Sequence, residues 1–285
     1  MGLPEVRAAM GLVPVPTPAL EGDRFRRVTR ECLLSVMAVR KAVADGGLDA
    51  KALAGDRTGL IYVSATAYAA ANRAFLDDEG STALHFPYTA PSAVPGEATI
   101  EFGIRGPYVN LMGGGATTLQ GLWYAARWLA DRTADRVVIL AVEAMHEVRD
   151  FFARARRLYD GPLVEGATCL ILEPGDGRVL RWASITTGRA LVRAGVAAVL
   201  DAVLQGVSPR SVASGVRGQA PGRAELRALG ARGIVSGPAV PTRLGEALAC
   251  APLIGLAHAR ASGLEGPCLL TAAWRGEYGA ALWPL

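Results

Sequence analysis

The chain has 285 residues, of which 51% are hydrophobic and 20% are charged, and its formal net charge is +4 at pH 7. This length and apolar content suffice for one large or two modest domains with a sizeable buried core. The arginines behind the positive excess are scattered among acidic residues, which argues against a nucleic-acid groove or an aromatic single-strand site.

The apolar runs of the sequence bear on the location of the protein, and the spacing of its cysteines bears on metal binding. No charged-then-apolar leader is evident and no apolar run reaches about 18 residues, so a cytoplasmic protein without a membrane partner is expected. The cysteines Cys32, Cys169, Cys250 and Cys268 are far apart, in apolar stretches and without Cys-x-x-Cys spacing. We therefore expect small buried residues rather than a zinc site or a disulfide framework, and no cofactor.

The N-terminal part of the chain is predicted to contain an arm and one long helix. Four prolines among the first 22 residues indicate an irregular arm over 1–22 that lies on the surface. Apolar residues at helical spacing then predict a helix with Asp23 as its N-cap and Gly46-Gly47 as its stop.

Apolar runs alternate with helical patterns along the rest of the first half, which indicates layered α/β structure. The predicted elements are a strand at 57–64, a helix at 67–76, a loop at 87–95, a helix at 98–102, a strand ending at 112, a helix ending at 130, and strands at 136–143 and 166–173. The continuous apolar run at 136–143 is typical of a strand buried on both faces.

The strongest turn-forming cluster in the sequence is Pro174-Gly175-Asp176-Gly177. The boundary between two halves, 23–174 and 175–285, is therefore placed there. The second half is predicted to repeat the alternation of the first. Its predicted elements are a strand at 178–186, a helix at 191–204, short strands at 211–216 and 233–236, a helix at 244–260, and a hairpin of 268–274 with 279–283.

A glycine-rich elbow joins the strand ending at 112 to the following helix. Glycine permits positive φ and close approach of neighbouring segments, and a helix N-terminus directs free N–H groups at the turn. Enzymes of the α/β class place nucleophiles at such elbows, yet Gly113, Gly114 and Gly115 carry none. Thr118 breaks the Gly-x-Gly-x-x-Gly pattern of dinucleotide loops, and the Walker pattern is absent. Tight packing without a ligand stays open as an alternative.

Four segments occur in an order that is much more specific than any one of them. They are the first-helix motif at 23–29, the strand at 57–64, the turn Phe102-Gly103-Ile104-Arg105-Gly106-Pro107 and the strand at 166–173. Together they resemble the β-ketoacyl synthases of the thiolase fold over most of the chain. The resemblance implies a layered αβαβα fold of two related halves. This chain departs from the family in its shorter second half and in the absence of an evident first strand.

The resemblance also locates the position of the missing nucleophile. Counted from Gly106-Pro107, the family's "ACSSS" motif falls on 114–118, so Gly115 stands where active members carry the acyl-accepting cysteine. The elbow residues that would border an acyl pocket are Met112, Gly113, Gly114, Gly115 and Thr117.

Two histidines that the family uses to polarise the thioester carbonyl and assist decarboxylation are also missing. One belongs to an Asn-x-Gly-His turn, where this chain has Glu246. The other belongs to a His-Gly-Thr-Gly-Thr loop, which is degenerate around 215–218. The chain's own His85, His146 and His258 stand in neither context, and His258 is expected to pack on a helix.

Loss of the nucleophile and both histidines removes covalent acyl transfer as a whole, so the resemblance implies a protein that is not an enzyme by itself. Similar non-catalytic members are the chain length factors, which pair with an active ketosynthase in type II polyketide and aryl polyene systems. Such a subunit would help to shape the acyl-chain pocket of polyketide or fatty-acid-like biosynthesis and would meet an acyl carrier protein. A homodimer is the alternative to this heterodimer.

Two other functions stay open. An enzyme could act on acyl thioesters without a covalent intermediate, using Glu246 as a base and the elbow N–H groups as oxyanion donors. A carboxylate of this kind needs a cationic or N–H partner, for which Arg217 or Arg243 is expected. A scaffold could instead hold an acyl carrier protein through Arg154, Arg156 and Arg157.

The resemblance further implies where subunits meet. In the thiolase fold the strand that leads into the elbow pairs with its counterpart across a two-fold or pseudo-two-fold axis. The residues expected at the interface are Tyr108, Val109, Asn110, Leu111 and Met112. An unpaired apolar edge strand is an aggregation hazard, and an obligate interface buries more than roughly 2,000 Å².

Overall fold

The computed structural model describes residues 12–13, 15–66, 69–77, 86–145, 148, 162–175, 180–186, 192–216, 219–235, 244–263 and 265–284. The helices are α1 (Arg30–Asp45), α2 (Ala69–Asp77), α3 (Ala93–Phe102), α4 (Gly115–Ala130), α5 (Val192–Leu204), α6 (Gln219–Gly230) and α7 (Ala251–Ala261). The strands are β1 (Leu12–Val13), β2 (Thr58–Ser64), β3 (Tyr108–Met112), β4 (Arg136–Glu143), β5 (Leu163–Val164), β6 (Gly166–Leu172), β7 (Arg181–Thr186), β8 (Ser211–Gly215), β9 (Cys268–Trp274) and β10 (Glu277–Trp283). Among these helices, none combines the length and the apolar character that a membrane crossing requires.

The first sheet has the strand order β3-β2-β4-β6. β2 runs parallel to β3 and β4, whereas β6 runs antiparallel to β4. Residues 137–143 of β4 are all buried, which confirms the prediction of a strand covered on both faces. Within the described residues β3 pairs only with β2, so it forms one edge of this sheet.

The second sheet has the strand order β7-β10-β9-β8 and lies entirely after the predicted boundary between the halves. β8 and β9 are parallel, and β9 and β10 form the predicted closing hairpin, in which Trp274 pairs with Glu277. The last strand of the first sheet ends at Leu172 and the first strand of the second begins at Arg181, on either side of 174–175.

Three buried apolar clusters show how helices and sheets are layered. One cluster joins α1 and α3 to the outer face of the first sheet, and another joins α5 and α6 to the outer face of the second. The largest cluster lies between the sheets, where α4 and α7 contact β2 and β4 on one side and β8, β9 and β10 on the other. The order of layers is therefore helix, sheet, helix, sheet, helix.

The N-terminal arm is less irregular than predicted. Leu12–Val13 pairs in parallel with Leu163–Val164, so a short strand interrupts the arm. Arg30 secures the chain that follows, because its guanidinium donates to the Val15 carbonyl and forms an ion pair with the buried Glu165 at 2.7 Å. The arm is thus held by backbone pairing and by one cation.

The first predicted helix begins later than expected. A 3-10 turn spans Asp23–Arg27, and Asp23 does not serve as an N-cap. The chain is extended at Val28 and Thr29, and α1 begins at Arg30. Both residues are β-branched, which favours extended backbone over a continuous helix. The predicted stop at Gly46-Gly47 is confirmed.

Three other predicted elements differ from the structure in their bounds or in their presence. α3 begins at Ala93 rather than 98, because a proline within the first helical turn leaves no hydrogen bond unmade. Residues 233–235, the described part of the strand predicted at 233–236, form no strand. The helix α6, which was not predicted, ends at Gly230 just before them. The helix expected from 244 starts with a 3-10 turn at Leu248–Cys250, and α7 begins only at Ala251.

Candidate functional site

The elbow has the strand-turn-helix form that the sequence predicts. β3 ends at Met112, Gly113 and Gly114 form the turn, and α4 starts at Gly115. The Gly113 N–H donates to the Ser64 carbonyl at 2.9 Å, which ties the turn to the end of β2. The position predicted for a nucleophile is therefore the first residue of a helix.

The three elbow glycines are required by close packing rather than by positive φ, which none of them adopts. A Cβ atom on Gly113 would lie 2.0 Å from Thr117 Oγ1, and one on Gly114 would lie 2.7 Å from the Trp274 indole. A Cβ atom on Gly115 would lie 2.9 Å from Ala272 Cβ and 3.3 Å from the Leu248 carbonyl oxygen. Of the two properties of glycine that suit such an elbow, these three residues use close approach and not positive φ.

The threonines after the glycines help to close the elbow. Thr117 packs on Gly113, and the buried Thr118 donates its hydroxyl to the Ala249 carbonyl at 2.7 Å. Met112, at the other side of the turn, is 42% exposed. The predicted pocket residues therefore do not share one environment, because Met112 faces outward while the glycines are enclosed.

The turn that carries Glu246 lies beside the elbow. The backbone N–H of Glu246 donates to the Pro162 carbonyl at 2.8 Å, and the backbone carbonyl of Glu246 accepts from Val164 N–H at 2.8 Å. The buried Glu246 carboxylate accepts from Leu248 N–H at 2.9 Å. One partner of this carboxylate is thus a backbone N–H. The predicted Arg217 and Arg243 lie outside the described residues.

Gly215, the first residue of the degenerate loop, reaches the same place from the second sheet. Gly215 ends β8, and a Cβ atom on it would lie 3.8 Å from Ala272 Cβ. Gly115 and Gly215 therefore converge on Ala272, with the Glu246 turn supplying the Leu248 carbonyl nearby. Positions 217 and 218 lie outside the described residues.

Of the three histidines, only His258 falls within the described part of the chain. It lies half-buried on α7, as the sequence predicts for a packed helix residue. His85, His146 and the arginines Arg154, Arg156 and Arg157 lie outside the described residues.

A buried carboxylate that the sequence analysis did not single out, Glu143, is linked to the elbow through Ala249, whose carbonyl accepts from the Thr118 hydroxyl. Glu143 closes β4, and its Oε1 accepts from Ala65 N–H at 2.9 Å and from Ala249 N–H at 3.1 Å. Its Oε2 accepts from the Thr66 hydroxyl at 2.6 Å and from Thr66 N–H at 3.1 Å. Burial raises the pKa of Glu143 to about 7, although these hydrogen bonds oppose the shift. An acidic residue at the end of a wholly apolar run was the signal for this group.

Glu143 is expected to make the stability of the protein depend on pH. Its carboxyl titrates near 4.5 when exposed and at about 7 when folded, so the folded state binds more protons in this interval. The stabilising contribution is full below pH 4.5 and is lost as the pH rises through 7. A shift of this size corresponds to about 3 kcal/mol. The free energy of unfolding of wild type and of Glu143→Gln would be measured in urea from pH 4.5 to 8. The difference between the two should change by this order across the interval, and parallel profiles would contradict the assignment.

The cysteines behave as buried apolar residues. Cys32, Cys250 and Cys268 are buried, Cys169 is half-buried, and all four are free thiols. Burial raises the pKa of each thiol, to about 12 for Cys32, so none is a ready nucleophile. Over the described ranges, no group of three or more His, Cys, Asp or Glu side chains is arranged to hold a metal ion.

Comparison with known proteins gives a family match in the first half. The family described as beta-ketoacyl synthase, N-terminal domain, matches residues 17–159, about half of the chain. A protein of Streptomyces violaceoruber that is named as a granaticin polyketide beta-ketoacyl synthase is 29% identical over 192 residues. The aligned region is 56% of this chain and 46% of that protein, so this chain spans about half the length of the curated relative.

Solved structures match nearly the whole chain. The ishigamide ketosynthase/chain length factor superposes with a TM-score of 0.74 at 20% identity, covering 92% of this chain and 82% of that one. A type II polyketide synthase acyl-carrier protein complex with its ketosynthase bound to the hexaketide gives 0.75 at 15% identity, covering 96% and 90%. At these identities the likeness establishes the fold.

Proposed function

Because the chain belongs to the β-ketoacyl synthase family, we propose that it is a ketosynthase-like subunit that carries out no covalent acyl transfer itself and works beside an active ketosynthase. The single observation that supports this most is the packing of Gly115. The nucleophile position has no side chain, and Ala272 and the Leu248 carbonyl oxygen occupy the space that one would need.

The other catalytic positions support the same proposal. At the place of one histidine, the Glu246 carboxylate is buried and accepts a hydrogen bond from its own turn. At the degenerate loop, Gly215 offers no side chain. Neither Glu246 nor Gly215 supplies the imidazole that the family uses to polarise a thioester carbonyl.

The proposed role follows the chain length factors that the chain resembles. The subunit would pair with an active ketosynthase through β3, and would help to shape the pocket in which an acyl chain grows in type II polyketide, aryl polyene or fatty-acid-like biosynthesis. The resemblance suggests an acyl carrier protein as the second partner. A homodimer would use the same strand.

The isolated chain is expected to take no covalent acyl label at the elbow. The purified protein would be incubated with an acyl-pantetheine thioester and examined by intact mass, with an active ketosynthase treated in parallel as the positive control. Because four cysteines are present elsewhere, any adduct must be mapped. A stoichiometric adduct within residues 106–130 would overturn the proposal, whereas trace labelling at a buried cysteine would not.

The alternative of a non-covalent thioester enzyme depends on Glu246. The described hydrogen bond to Leu248 N–H favours a structural role, because a glutamine Oε1 can accept the same bond. Glu246→Gln should therefore leave thioester hydrolysis at the background rate, and Glu246→Ala should cost at least about 1 kcal/mol through the lost hydrogen bond from Leu248 N–H. A wild-type hydrolysis rate well above background that Glu246→Gln abolishes would establish this alternative instead.

A further inference from the structure

The elbow is enclosed by one face of β9. Ala272 and Trp274 are two residues apart on this strand, so their side chains project from the same face. That face lies against the elbow, with Ala272 next to Gly115 and the Trp274 indole next to Gly114. The indole therefore covers the residue that precedes the nucleophile position.

Trp274 is held in this place from several sides. It is the last residue of β9 and pairs with Glu277 across a two-residue turn. Arg275 and Gly276 in this turn have φ values of 46° and 83°, the arrangement of tight hairpin turns that match strand twist. The Arg275 guanidinium lies 5.4 Å from the centre of the Trp274 ring, within the range of cation–π attraction.

The inner side of the indole meets an apolar environment. Trp274 packs against the cluster of Met145, Leu163 and Leu248, beneath the loop after β2. A tryptophan side chain buries about 150–250 Å², so its removal would leave an apolar recess beside the elbow. Because Trp274 is only half-buried, this recess would open to solvent, and an acyl chain that entered it would bury apolar surface.

We infer that Trp274 is a fixed stopper that closes the elbow of this subunit to acyl groups, separately from the loss of the nucleophile. The inference rests on the proposed function for the ligand class, which is a linear acyl chain. Its consequence is that an acyl chain handled by the complex lies outside the elbow of this subunit.

The test measures non-covalent binding of octanoyl-pantetheine by isothermal titration calorimetry. Wild type is expected to show no saturable binding, and Trp274→Ala is expected to saturate with a dissociation constant at least about tenfold below the highest concentration at which wild type is tested. Trp123→Ala is the matched control, because Trp123 is an exposed tryptophan on α4 whose ring packs on Trp182 rather than on the elbow. This control should bind no better than wild type.

Two results would overturn the inference. One is saturable binding by wild type with the affinity of Trp274→Ala, and the other is a folded Trp274→Ala that does not bind. If that variant does not fold, photo-crosslinking of wild type with a diazirine-bearing octanoyl probe decides, because saturable labelling within residues 113–118 contradicts the stopper and its absence supports it. Non-covalent binding by wild type without a covalent adduct would defeat the stopper and leave the proposed function standing.

Discussion

Gly115→Cys is expected to destabilise the protein without giving it a reactive thiol. The new Cβ would lie 2.9 Å from Ala272 Cβ, 3.3 Å from the Leu248 carbonyl oxygen and 3.4 Å from Pro252 Cδ. None of these atoms is the end of a flexible side chain, so the backbone of α4 or β9 must move. Overpacking of this kind costs about 1–3 kcal/mol, which lowers the Tm of a chain of this size by several degrees. Thermal unfolding and intact mass after incubation with an acyl-pantetheine are the measurements.

A double-mutant cycle separates this clash from a general effect of cysteine. Ala272→Gly removes the nearest atom, so Gly115→Cys should cost less in its presence, with a coupling energy of about 1 kcal/mol or more. Gly96→Cys is the matched control, because Gly96 lies in the first turn of α3 and a Cβ atom there meets nothing within 4 Å. A Gly115→Cys protein as stable as wild type, with a thiol that accepts acyl groups, would contradict the reading of this site.

Replacing the exposed residues of β3 is expected to abolish subunit pairing. β3 is an edge strand whose Tyr108 and Met112 are each 42% exposed. Val109 and Leu111 pack against the cluster between the sheets, so charges there would damage the fold itself. The double variant Tyr108→Lys, Met112→Lys should remain folded and lose at least about 100-fold in dimer affinity, because unpaired charges would be buried.

Analytical ultracentrifugation of the chain alone and mixed with its cognate ketosynthase measures this effect. Leu226→Lys is the control, since Leu226 is 60% exposed on α6, which packs on the outer face of the second sheet, whereas β3 belongs to the first. A wild type that is monomeric alone and stays monomeric in the mixture would defeat the partner-subunit proposal. Unchanged assembly of the double variant would place the interface elsewhere.

The family and the thiolase-like layered fold were predictable from the sequence, and both are confirmed. The reason is that the informative signals are local. The eight-residue apolar run Arg136–Glu143 has the length and composition of a strand covered on both faces, and three glycines between a strand and a helix allow close contact. Ordered landmarks then restrict the possible folds to one.

Features that depend on context were not predictable in the same way. α6 was missed because Ala220-Pro221-Gly222 reads as a turn, although proline is tolerated in the first turn of a helix, where its missing N–H has no partner to lose. Ala272 and Trp274 were missed because more than half of the chain separates them from the elbow that they cover. Only the packing of β9 on α4 reveals this contact.

The central helical layer also determines how the chain can fold. α4 belongs to the first half and α7 to the second, yet both are buried in one cluster with strands of the two sheets. Neither half could bury its inner face alone, so a break at 174–175 would leave each fragment with an exposed apolar surface. Unfolding should consequently be a single cooperative transition, and the two fragments should regain structure only when they are refolded together.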